Sequence, residues 1–302
     1  MVLKKNSLIF LILFSSYLPL QLSAQPELDT AKVDRNVVYG MYSGLALIMD
    51  VYYPHEPNGF GIVQITGSGW TRPLGLDARM INHQGHVLAD GNPMLAAGYT
   101  VFAINHRAAP RFTYPAQVAD AQRAIRFIRH HSDKYGIRKN KIGVIGGSSG
   151  GHLVSMLGTL DGDENRPDNS PINEESAKVQ CVIARAAPSD FTEKGGDNFL
   201  GVREKERAIP NSAESSLVKD ASPIMHVTKD DPPILLVHGD ADPVVPFSQS
   251  EGFLKKLKEA GVTSKLIRVE GGGHGFNFGG AAKLADLQST YVDWMDTHLR
   301  GI

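Results

Sequence analysis

The sequence predicts an α/β fold, a mostly parallel central sheet with helices on both faces, and three observations predict it. Short apolar, β-branched segments alternate along the chain with segments of helical spacing. The strand-like segments carry no polar face, as strands covered on both sides must. Turns containing glycine follow the carboxyl ends of several strands, the edge at which open α/β sheets hold ligands.

In chain order, the first element lies outside that fold. Lys4 and Lys5 precede an apolar run over 7–20, and the small pair Ser23 and Ala24 follows. This is the pattern of a secretory signal peptide over 1–24, leaving 25–302 as the mature domain. The run of 14 residues is short for a membrane span, the alternative being an uncleaved anchor. Strands are then expected over 45–53, 61–66 and 99–105. A helix is expected over 115–131, where Val118, Ala121, Ala124, Ile125 and Ile128 recur on one face and Pro115 suits a first turn. A strand over 141–145 and a helix over 150–160 come next, then strands over 179–186 and 233–237. A helix over 248–260 stops at Gly261, and a strand over 264–269 and a last helix over 281–299 close the chain. The segments 162–175 and 193–211, rich in Asp, Asn, Glu, Gly and Pro, break the rhythm. They are expected to form loops or a small cap over the carboxyl edge of the sheet.

Hydrophobic residues make up 42% of the 302-residue chain and charged residues 21%, which supports a large core and excludes global disorder. The formal charge is −1; without Lys4 and Lys5 the mature part has 29 basic and 32 acidic residues, a net −3. No basic stripe stands out, so a nucleic-acid partner is not expected, nor are acidic substrates specially favoured. The lone Cys181 sits in an apolar strand segment, forms no internal disulfide and is expected to be inert. Export without disulfides fits a periplasmic or secreted protein. No cysteine follows the leader's apolar run, so no lipid anchor is indicated, and the chain is not expected to stay inserted in a membrane once the leader is cut. Zinc-ligand spacing is absent; His83 and His86, three apart, have no matching pair and read as loop residues, so no metal is expected.

The chemistry is carried by three turns. Gly146-Gly147-Ser148-Ser149-Gly150-Gly151 follows a strand and opens a helix, the context a G-x-S-x-G nucleophile turn needs. Ser148, flanked by Gly146 and Gly150, is the favoured nucleophile because the strand pattern ends at Ile145. Ser149, flanked by Gly147 and Gly151, is the other register. A phosphate-cradling loop is disfavoured, since no lysine follows the glycines. A serine hydroxyl needs a base, and Gly271-Gly272-Gly273-His274 offers one on a loop. The base needs a carboxylate to fix its tautomer. Asp242 is favoured, with Asp240 read as holding its turn and Asp190 as a third candidate. The order Ser, Asp, His is the one used by sheets of this type.

Thr66-Gly67-Ser68-Gly69-Trp70 follows the 61–66 strand, where an oxyanion-binding loop belongs. With Asn105-His106-Arg107, Pro115-Ala116-Gln117, the turn around Ser148, the segment 238–246 and Gly273-His274, the chain resembles the hormone-sensitive-lipase-like and feruloyl/acetyl-xylan-esterase-like branches of the α/β-hydrolases. The resemblance covers most of the mature chain. It implies an α/β-hydrolase catalytic domain acting on an ester without metal or cofactor. Ser148, His274 and Asp242 would be catalytic, and the backbone N–H groups of Ser68, Gly69 and Ser149 would form the oxyanion hole. Two residues depart from the pattern: Thr66 replaces the leading histidine of the oxyanion loop and Ser68 its middle glycine. Trp70 would stack on a sugar or aromatic acyl group, or pack in the core. His106 and His152 are expected to be structural. Export and the resemblance together suggest acetyl or feruloyl esters of polysaccharide, a small-molecule or oligosaccharide substrate. Two other functions fit the motifs less well: a peptidase of the prolyl-oligopeptidase kind, which normally carries a large N-terminal propeller, and an inactive binding module, which usually loses a triad residue.

Overall fold

The computed structural model describes residues 28–83, 85–162, 170–192, 195–207, 209–275, 277–281 and 286–302. The expected signal peptide over 1–24 lies outside these residues. Eight strands form one sheet: β1 (Lys32–Tyr42), β2 (Leu45–Tyr53), β3 (Gly61–Ile65), β4 (Thr100–Ile104), β5 (Ile142–Gly147), β6 (Cys181–Arg185), β7 (Ile234–Gly239) and β8 (Ser264–Val269). Their order is β1-β2-β4-β3-β5-β6-β7-β8. β2 pairs antiparallel with β1 and β4, and every other neighbouring pair is parallel. Strands β3 through β8 therefore share a direction, and their carboxyl ends emerge along one edge.

The helices are α1 (Gly85–Ala96), α2 (Ala116–His130), α3 (Ser149–Thr159), α4 (Asp197–Leu200), α5 (Glu204–Arg207), α6 (Ala213–Asp220), α7 (Ser248–Glu259) and α8 (Leu287–Met295). The pleat explains how they divide. Ile142 and Val144 of β5 and Ile234 and Leu236 of β7 point to the face packed by α2, α3 and α7. Ile145 and both Leu235 and Val237 point to the opposite face, packed by α1 and α8. Both faces are apolar, so each central strand reads as a continuous hydrophobic run. All of α3 is buried, which sets the turn at Ser148 on a rigid base.

One expectation resolves between its alternatives and two need correction. The described part of the segment after α3 takes the loop form and lies along α2: Arg126 donates to the Gly162 carbonyl at 2.9 Å and the Glu175 carbonyl at 3.0 Å, and Arg129 donates to the Ser176 carbonyl just beyond it at 2.8 Å. The segment around α4 and α5 does break the rhythm as expected, and Phe199 packs there against Trp70 at the carboxyl edge. The last α-helix begins at Leu287 rather than 281 and passes into a π-helical turn over Asp296–Arg300. His83 and His86 fall in helical turns, Ile81–His83 and α1, rather than in a loop.

Candidate active site

Ser148 sits between β5 and α3 with φ +53° and ψ −123°, a left-handed conformation that a side chain adopts only under constraint. The Ser148 N–H donates to the Arg185 carbonyl at 2.8 Å, and the His152 N–H donates to the Ser148 carbonyl at 2.9 Å. The turn can close because its neighbours lack side chains. A Cβ on Gly150 would stand 2.0 Å from the Ile65 carbonyl oxygen, and one on Gly146 2.5 Å from that of Gly150. The chain therefore presses β3 directly against the turn.

The two serines separate by what their hydroxyls touch. Ser148 Oγ lies 2.9 Å from His274 Nε2, the geometry of a hydroxyl donating to a ring nitrogen. Ser149 is fully buried, and its Oγ instead accepts the Ser68 N–H at 2.8 Å. His274 Nδ1–H donates to Asp242 Oδ2 at 2.7 Å. That leaves Nε2 as the acceptor that Ser148 needs. Asp242 Oδ1 in turn accepts the N–H groups of Val244 at 2.8 Å and Val245 at 2.9 Å. Burial works to raise the Asp242 carboxyl, but the His274 bond and the two backbone N–H groups outweigh it and hold it below the usual carboxylate range. Asp240 and Asp190 do not reach His274. Asp240 accepts from Arg268 Nε and the Gly271 N–H, each at 2.7 Å, and so ties the two loops together. Asp190 caps its own turn by accepting from the Thr192 N–H and hydroxyl.

Sequence reasoning missed His238. This ring is fully buried at the end of β7; Nδ1 accepts from Ser250 Oγ at 2.7 Å, and Nε2–H points at the Val245 carbonyl at 3.0 Å and Asp242 Oδ2 at 3.3 Å. It braces the carboxylate from behind. The visible signal was a polar residue ending an otherwise apolar strand. A second buried group lies behind the Ser148 turn: Arg185 donates to Asp90 Oδ2 at 2.7 Å, joined by Gln64 at 3.2 Å.

The oxyanion expectation changes in one member. The Ser68 N–H is held by Ser149 Oγ, whereas among the described residues no protein acceptor takes the N–H of Gly69 or Ser149. Ser149 also opens α3, where free N–H groups and the helix dipole favour negative charge. Trp70 is corrected as well. Its ring is 7% exposed, stacked on Phe199 at 4.5 Å and edged by His152 and Phe191, and its Nε1–H donates to His152 Nδ1 at 3.2 Å. With that face covered, it packs the loop instead of stacking on substrate. His152 passes the link on, donating Nε2–H to the Ala221 carbonyl at 2.8 Å. His106 is buried with Nδ1–H on the Arg107 carbonyl, a packed residue as expected. Burial pushes the Cys181 thiol up to about 12, consistent with an inert strand thiol.

The chain matches the BD-FAE family model over residues 49–257, a span holding Ser148 and Asp242 and ending before His274. The chain belongs to the BD-FAE family. Its fold is the α/β-hydrolase fold, and BD-FAE membership agrees with relatives and neighbours bearing esterase names. The probable carboxylic ester hydrolase LipM of Mycobacterium tuberculosis is 29% identical over 83% of this chain and 58% of its own length. The acetylxylan esterase of Xylanibacter ruminicola is 25% identical over 82% of this chain and 47% of its own. The chain thus spans less than two thirds of the length of these relatives. A truncated carbohydrate esterase from gut microbiota superposes with a TM-score of 0.70 at 29% identity, covering 90% of this chain and 97% of that one. Esterase 2 of Thermogutta terrifontis, phosphoramylated by tabun, gives 0.71 at 26% identity, covering 92% and 97%.

Proposed function

We propose that this BD-FAE chain is an exported serine carboxylesterase that cleaves acyl esters, acetyl or feruloyl, from polysaccharide. The observation that carries the reading is the unbroken relay from Ser148 Oγ through His274 to Asp242, at 2.9 and 2.7 Å, on a strained strand-to-helix turn. In the proposed reaction Ser148 Oγ attacks the ester carbonyl carbon while its proton passes to His274 Nε2. The N–H groups of Gly69 and Ser149 stabilise the oxyanion. His274 then returns the proton to the departing alkoxide as the C–O bond breaks, leaving an acyl-Ser148. Water attacks that acyl carbon, giving its proton to His274; the acid leaves and Ser148 is reprotonated. Asp242 stays ionised and stabilises the imidazolium.

Export rests on the 1–24 pattern, and the polysaccharide assignment on the carbohydrate esterases among its likenesses. Turnover of p-nitrophenyl esters and of acetylated and feruloylated oligosaccharides, set against aminoacyl anilides, tests the reading. Ester turnover that falls roughly 10³-fold or more in Ser148→Ala supports it. Cleavage of anilides alone, or of nothing, contradicts it.

A further inference from the structure

The near-zero net charge hides a local concentration of arginines. A cavity of about 620 Å³ opens where the β1–β2 turn and the residues after β4 meet the segment following Trp70. Arg72, Arg79, Arg107 and Arg111 all line it, and no Asp or Glu does. Arg107 is neutralised from behind by Asp120, which it meets at 2.6 Å. Among the described residues, Arg72, Arg79 and Arg111 have no acidic partner. Such a wall of one sign draws an anion, and a guanidinium matches a carboxylate through two parallel bonds.

Two residues of the same wall carry buried polar atoms without a protein partner, Arg72 Nη2 and His106 Nε2. Arg72 spends its other nitrogens on the Arg79 and Thr71 carbonyls, so Nη2 is a spare donor. His106 donates Nδ1–H to the Arg107 carbonyl, so Nε2 is a spare acceptor. A donor beside an acceptor suits hydroxyl groups as well as a carboxylate. At the lip, Leu74 and Leu76 stand exposed, an apolar surface fit for the C–H faces of a sugar ring. The wall includes Arg72, two residues past Trp70, which places it beside the proposed oxyanion loop.

We propose that this cavity is a subsite for a uronic acid unit, a sugar carrying a carboxylate, on the polysaccharide whose ester is cleaved. The inference rests on the esterase reading above and names the substrate class it would prefer. Arg72 and Arg79 hold the carboxylate, His106 Nε2 accepts a ring hydroxyl, and Leu74 and Leu76 cover the ring.

Binding to the full chain carrying Ser148→Ala, measured by titration calorimetry, separates this from turnover. The probes are a uronic-acid-substituted xylo-oligosaccharide, its neutral counterpart and hexanoate. The expected result is binding of the acidic oligosaccharide at least about fivefold tighter than the neutral one, with hexanoate weaker than both. Arg79→Gln, an exposed position, and Arg72→Gln with Arg79→Gln should each reduce that preference, the pair to within about twofold. Equal binding of the two sugars, no binding of the acidic one, a preference surviving in both variants, or hexanoate binding as tightly as the acidic sugar overturns the subsite. p-Nitrophenyl acetate turnover by the unaltered chain reports separately on the esterase reading.

Discussion

At the scale of single residues, the proposed site divides its hydrogen bonds between two adjacent serines. Ser148 presents its hydroxyl to His274, while Ser149 uses its own to hold the Ser68 N–H. Ser149→Ala should therefore leave the proposed nucleophile in place but let the proposed oxyanion loop drift, lowering kcat about tenfold on p-nitrophenyl acetate, far less than Ser148→Ala. A loss in Ser149→Ala as large as in Ser148→Ala would reverse the assignment. Asp242 accepts one bond from His274 and two from backbone N–H groups, and its carboxyl lies below the usual range. A carboxyl with a depressed pKa keeps its charge until pH falls through that lowered value. The pH–rate profile should thus show no loss from Asp242 protonation above about pH 4. Asp242→Asn would stabilise the wrong imidazole tautomer and lower kcat roughly 10³- to 10⁴-fold, as steady-state kinetics would read.

At the scale of elements, the Ser148 turn closes because β3, β5 and the start of α3 come closer than side chains permit. Gly150→Ala would drive a methyl group to 2.0 Å from the Ile65 carbonyl oxygen. The chain must shift, and the denaturant midpoint should drop by an amount corresponding to about 1–3 kcal/mol or more. Behind the turn, α1 is pinned to β6 by the fully buried Asp90–Arg185 pair. Removing one partner strands a buried charge, so Asp90→Ala should cost about 3–5 kcal/mol in the same assay, and an unchanged midpoint would refute that role. These elements also show where the sequence was legible. Strands β2 through β8 announced themselves as apolar runs ended by turns, and the glycines around Ser148 and His274 marked the loops of the site. Helix α1 did not, because Asp90, Gly91 and Pro93 are residue types disfavoured inside a helix. Its tertiary contacts explain them: Asp90 meets Arg185, and a Cβ on Gly91 would lie 3.0 Å from Leu28. Edge strand β1 was missed because its burial alternates poorly and Asn36 interrupts it with φ +54°. Trp70 was ambiguous for a similar reason: nothing in its neighbours along the chain reveals Phe199, Phe191 and His152 closing around it.

At the scale of the whole molecule, the buried His152 and the half-buried His86 are expected to weaken the fold in acid. Burial pushes His152 from 6.5 down to about 4, and burial with the nearby Arg185 charge pushes His86 to about 4 as well. Between those values the unfolded chain binds protons that the folded chain refuses, so the folded state loses stability as pH falls. Thermal melting should show Tm level above pH 6.5 and declining towards pH 4, with His152 alone contributing on the order of 1–3 kcal/mol. A flat Tm across that window would mean these rings are not held neutral. The central claim is that three side chains, separated by 94 and 32 positions along the sequence, assemble one relay at the carboxyl edge of a parallel sheet. Treatment with a fluorophosphonate, followed by mass-spectrometric mapping of the adduct, tests it most directly. The account predicts a single stoichiometric adduct on Ser148, abolished in His274→Ala; an adduct on Ser149, or undiminished labelling without His274, would contradict it.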